Sequence, residues 1–115
     1  MSTHPVRKAA LAVTAVVLMI GAPSMPAESR QGVTIQVFQF KPGQVEVTKG
    51  TTVTWTNQDD ITHTVTSGTP EQRDGRFDKQ LAGKGATATM ELKESGVYPY
   101  FCDRHQSMRG EIRVK

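Results

Sequence analysis

The sequence is sparing in several residue types, and each shortage removes a class of function. It has a single cysteine, so no internal disulfide can form. Lys and Arg number 14 against 11 Asp and Glu, and no basic stripe interleaves with aromatics, which excludes a nucleic-acid-binding surface. The longest apolar stretch, residues 9–22, counts fourteen residues and is interrupted by Thr14. A comfortable membrane span needs roughly 20. Internal repeats, low-complexity tracts and His-rich or Met-rich runs are absent, and no segment carries a convincing helical pattern. The three histidines include His4, which leaves only His63 and His105 beyond the N-terminal segment.

That segment has the organisation of an export signal. Arg7 and Lys8 form a short basic region, the apolar stretch follows, and Gly21-Ala-Pro-Ser-Met-Pro-Ala27 supplies the small residues of a cleavage region. Cleavage is expected after Ser24 or Ala27, and division after Ala27 gives a signal peptide over 1–27 and a single domain over 28–115. The pattern predicts a periplasmic protein without stable membrane association. With Arg7 and Lys8 removed, the net charge falls from +3 to near +1. A chain this short buries only about 60–65% of its unfolded surface and gains from a bound metal.

Beyond residue 28 the pattern is of short strands between turns. Alternation of β-branched and aromatic residues marks segments 33–40, 45–48, 51–57, 61–66, 86–92, 97–102 and 110–114. Residues 67–85 read as a long, polar, Gly-containing connection. About seven to eight strands at this spacing predict an all-β sandwich or barrel.

The chemistry concentrates near the C-terminus. Cys102, His105 and Met108 follow one another at three-residue intervals. A thiolate, an imidazole and a thioether on one loop, completed by a second imidazole, are the donors of a mononuclear blue-copper centre. His63 is that second imidazole, 39 residues before Cys102, and must arrive on a strand beside the cysteine strand. Coordination also explains a lone cysteine in an exported protein, where a free thiol is open to oxidation. Asp59 and Asp60 read as a solvated acidic loop. Trp55, Phe40, Tyr98, Tyr100 and Phe101 read as core or sheet-face residues.

Four motifs carry a resemblance to a known family: Lys41-Pro-Gly43, Lys49-Gly-Thr-Thr-Val-Thr-Trp-Thr-Asn57, Thr62-His-Thr-Val-Thr66 and Gly96-Val-Tyr-Pro-Tyr-Phe-Cys-Asp-Arg-His-Gln-Ser-Met-Arg-Gly110. They resemble the cupredoxins, and within them the amicyanin and plastocyanin branch, over nearly the whole domain. The short Cys-x-x-His-x-x-Met loop is the form that amicyanins carry. The resemblance implies a Greek-key β-sandwich holding one type 1 copper on His63, Cys102, His105 and Met108. It implies a monomeric, non-enzymatic carrier that passes single electrons between redox partner proteins, with a dehydrogenase as donor and a c-type cytochrome as acceptor. Delivery of copper by the same four ligands is the alternative function. Copper nitrite reductases and oxidases need more histidines than this chain has.

Two departures from the family pattern bear on function. Prolines commonly flank the C-terminal histidine, whereas Arg104 and Gln106 stand here, so a more polar and cationic electron port is expected. The family often has Asn after the upstream histidine, tying two ligand loops together. Thr64 occupies that place, and its hydroxyl can donate or accept in the same way.

Overall fold

The computed structural model describes residues 29–115 together with the isolated Thr3. The expected signal peptide over 1–27 otherwise lies outside the described residues. The described residues form nine strands and no helix. They are β1 (Arg30–Gln36), β2 (Gln39–Lys41), β3 (Gln44–Val47), β4 (Thr51–Asn57), β5 (His63–Gly68), β6 (Arg73–Leu81), β7 (Thr87–Leu92), β8 (Gly96–Phe101) and β9 (Arg109–Val114).

The strands build two sheets, one in the order β2-β1-β4-β7 and the other β3-β9-β8-β5-β6. Parallel pairing of β1 with β4 and of β3 with β9 combines with antiparallel pairs elsewhere. Alternation decides which face turns inward, because side chains two apart share a face. Along β4, Thr51, Val53, Trp55 and Asn57 are buried while the residues between are half-buried. Val33 and Ile35 from β1 face Val65, Tyr98, Tyr100 and Ile112 across the sandwich in one apolar core. The all-β sandwich expected from sequence is present.

Two local expectations are corrected. Residues 67–85 are not one irregular connection, because Arg73–Leu81 is a nine-residue strand at the edge of the second sheet. Only Phe77 and Leu81 are buried along it. An edge strand has a free side and needs few apolar residues, and its charges discourage edge-to-edge association. The first strand likewise stops at Gln36. Val37 and Phe38 form a two-residue hairpin turn into β2, both with positive φ, 50° and 57°. Such type I′ turns normally take Asn-Gly. A β-branched residue in this region is strained, so something outside the turn must hold it.

The packing that matters for the site is the pairing of β5 with β8, in which Thr66 lies opposite Phe101 and Ser67 opposite Tyr100. It carries His63, at the start of β5, to the same end of the sandwich as Cys102, just beyond β8.

Candidate metal centre

Cys102 is fully buried and its thiol forms no disulfide. The chain then leaves β8 and makes a tight loop before β9. Two backbone hydrogen bonds close this loop: the Cys102 N–H donates to the Met108 carbonyl at 3.1 Å, and the Met108 N–H donates to the His105 carbonyl at 2.9 Å. The closure holds the backbone of Cys102, His105 and Met108 in one tight turn. Met108 is buried with Cys102, whereas His105 is half-buried and reaches the surface.

His63 completes the cluster from the other strand. One potential ligand atom each from His63, Cys102 and His105 lie within 4.8 Å of one another. Cys102 Sγ stands 3.6 Å from His63 Nδ1 and 3.9 Å from His105 Nδ1. A metal bonded to sulfur at about 2.3 Å and to imidazole nitrogen at about 2.0 Å, with trigonal angles of about 120°, separates the two atoms by about 3.7 Å. The donor set therefore fits a trigonal His2Cys site with no rearrangement of the chain. That geometry and softness suit copper.

Neighbouring groups fix the donors. The Nε2 of His63 lies 2.8 Å from Asp59 Oδ2. An ionised carboxylate only accepts, so His63 carries its proton on Nε2 and turns the Nδ1 lone pair toward the cysteine. The same carboxylate accepts the Val37 N–H at 2.8 Å and the Phe38 N–H at 3.0 Å. Asp59 is thus the external support of the strained turn as well as the orienter of His63. Burial alone would push its carboxyl up, but donation from Phe38, Val37 and His63 outweighs this and holds it below the usual carboxylate value. Asp59 is not the solvated loop residue expected from sequence: its side chain is only 15% exposed. The available signal was its position four residues before His63, which by itself is weak.

Thr64 behaves as its place in the motif predicts. Its backbone N–H points at Cys102 Sγ, 3.4 Å away, and its hydroxyl accepts the Asp103 N–H at 2.7 Å. The two ligand segments are thereby joined beside the sulfur. Asp103 also pairs with Arg73, and the Arg73 guanidinium lies 5.5 Å over the Phe101 ring.

The surface above the centre is less polar than its immediate sequence suggests. Arg104 and Gln106 are exposed beside His105 as expected. However, the Phe38 ring packs edge-on against His105 at 4.9 Å and against His63 at 5.5 Å. Val37, Phe38 and Ile61 are three of the four exposed large hydrophobics among the described residues. They sit on two loops that Asp59 and Asn57 tie down, the latter by donating to the Ile61 carbonyl at 2.8 Å. Apolar surface therefore reaches the exposed edge of His105 from the β1–β2 turn, far away in sequence, while Arg104 adds a cation.

Comparisons with known proteins agree with this geometry. Residues 27–115 match the family described as copper binding proteins, plastocyanin/azurin family. Amicyanin-alpha of Methylorubrum extorquens is 29% identical over 109 residues, covering 93% of this chain and 87% of that protein. Amicyanin of Paracoccus versutus is 27% identical over 96 residues, covering 84% and 72%. Its crystal structure superposes with a TM-score of 0.66, covering 80% of this chain and 86% of that one. A purple cupredoxin from Nitrosopumilus maritimus is 26% identical, with a TM-score of 0.67 and coverage of 74% and 99%.

Proposed function

The chain belongs to the plastocyanin/azurin family of copper-binding proteins, as a cupredoxin of the amicyanin-like branch, and from that premise we propose that it is a periplasmic blue-copper electron carrier. The observation that supports this most is the convergence of His63, Cys102 and His105 at separations expected for one trigonal metal. We assign His63 Nδ1, His105 Nδ1 and the Cys102 thiolate as the three equatorial ligands and Met108 as the weak axial one. Bound copper supplies a one-electron couple.

The protein's own part is to hold the donors still and to keep one edge of the site reachable. His63 is locked by Asp59, Cys102 by the Thr64 N–H, and the loop by its two backbone bonds. A site that barely rearranges between oxidation states suits rapid electron transfer. His105 is the half-buried ligand, so its edge, flanked by Phe38 and Arg104, is the route for the electron. Partners are redox proteins that dock over this apolar and cationic rim, with a c-type cytochrome as acceptor and a dehydrogenase as donor. Export is assigned from the N-terminal pattern of residues 1–27. Among the described residues no helix is long and apolar enough to cross a membrane.

Shuttling and copper delivery separate in one experiment. The Cu(I) protein is mixed anaerobically with an oxidised c-type cytochrome in the presence of a Cu(I) chelator. Reduction of the cytochrome, with return of the oxidised protein's colour and no copper reaching the chelator, is expected. Movement of copper to the chelator without cytochrome reduction would favour delivery.

A further inference from the structure

The buried hydroxyls of Thr64 and Thr66 lie side by side on the face of β5 that points away from the apolar core, 3.0 Å apart. Their hydrogen bonds run in one direction only. The Asp103 N–H donates to Thr64 Oγ1 at 2.7 Å, and Thr66 Oγ1 donates to Asp78 Oδ1 at 2.9 Å. Thr66 has one hydroxyl proton, and Asp78 takes it. The Thr64 hydroxyl must then donate to Thr66. A directed chain follows, from the peptide after the cysteine, through two hydroxyls, to a carboxylate on the edge strand. Thr66 and Asp78 are cross-strand partners in the β5–β6 pair, so the sheet register places the acceptor where the chain ends.

We propose that Thr66 and Asp78 are positioning residues for the metal-binding thiolate, acting through Thr64. This rests on the copper reading above and names how the sulfur environment is set. Thr64 meets the site twice: its backbone N–H faces Cys102 Sγ at 3.4 Å, and its hydroxyl holds the next peptide. Fixing the Thr64 side chain fixes the distance between that N–H and the sulfur. Hydrogen bonding at the cysteine sulfur is one of the factors that tune the potential of such a site. The negative end of the chain at Asp78 polarises both hydroxyls and makes Thr64 Oγ1 a stronger acceptor. The Thr64 hydroxyl has one proton to place, Thr66 takes it, and the Asp78 carboxylate completes the support.

The test uses amide exchange in the metal-free protein, together with spectroscopy after copper loading. Thr66→Val removes the central hydroxyl at nearly constant volume. Asp78→Ala removes the terminal acceptor at an exposed position that does not threaten folding. Both are expected to speed exchange of the Asp103 amide about tenfold, in proportion to one lost hydrogen bond. Thr66→Ser, which keeps the hydroxyl, should exchange like the unaltered protein. After copper loading, Thr66→Val should lower the reduction potential, and Thr66→Ser should restore it. Unchanged Asp103 exchange in both Thr66→Val and Asp78→Ala would overturn the relay. So would Val and Ser variants with the same potential. Failure of the unaltered protein to take up copper would defeat the copper reading alone, since the exchange measurement needs no metal.

Discussion

Gly110→Ala is expected to destabilise the domain by about 3 kcal/mol or more, through overpacking that the core cannot relieve. Gly110 lies opposite Tyr100 in the β8–β9 pair. A methyl group there would overlap the Tyr100 ring, with Cε2 only 2.6 Å away and Cζ and the hydroxyl nearer still. The ring has nowhere to go. It is 1% exposed and packs edge-on against Phe40 at 4.7 Å and Trp55 at 5.5 Å. Burial pushes its hydroxyl up to about 12, so the group stays neutral across the ordinary pH range. For a domain of this size the loss is a drop in melting temperature of about 12–24 °C. Gly32→Ala is the control, because nothing lies within 4 Å of its added carbon. Calorimetry of the two variants checks the prediction. Equal melting temperatures would show that β8 and β9 can separate more easily than this packing allows.

Asp59→Asn is expected to leave the fold nearly intact and to weaken copper binding about 10–100-fold, the usual effect of losing a carboxylate behind a ligating histidine. The asparagine oxygen can still accept from the Val37 amide, while the NH2 that takes the place of Oδ2 loses the Phe38 bond. That NH2 group would also face His63 Nε2 and favour the tautomer with the proton on Nδ1, where copper is to bind. Asp59→Ala should add a second effect, about 2 kcal/mol of lost stability, by leaving the strained turn's amides without their acceptor. The sign with pH follows from the depressed carboxyl. Its stabilisation is present above the unfolded carboxyl value of about 3.9 and is lost as pH falls through the lower folded value. The metal-free protein should therefore lose stability in acid, and Asp59→Asn should lose less. Copper titration of both variants, with chemical denaturation from pH 7 downward, measures these effects. Unchanged copper affinity in Asp59→Asn would remove Asp59 from the site.

The proposed metal donors stand out in the sequence because three of them share one loop and their chemistry is distinctive, and the structure brings His63, Cys102 and His105 together. His63 needed only one further inference, that its strand lies beside the cysteine strand, and the β5–β8 pair bears this out. What surrounds the donors was not legible. Asp59 looks like any acidic loop residue until the fold brings the Val37–Phe38 turn against it. Phe38 alternates convincingly with Phe40, yet the chain turns there in a conformation that its residues do not favour. The β6 strand was hidden because its edge position leaves only Phe77 and Leu81 to bury. In each case the deciding partner comes from another strand, and no local pattern encodes it. Thr64 was the exception: its replacement of the family's Asn pointed to the bond it makes with the Asp103 amide.

His63, Cys102 and His105 are proposed to hold copper through a thiolate bond. The most direct measurement is Cu(II) titration of the purified protein, and of Cys102→Ala, followed by visible absorption. An intense thiolate-to-copper band that saturates at one copper per chain, bleaches with ascorbate and is missing from Cys102→Ala is predicted. A protein that stays colourless at saturating copper, or an equal spectrum from Cys102→Ala, would contradict a copper–thiolate bond.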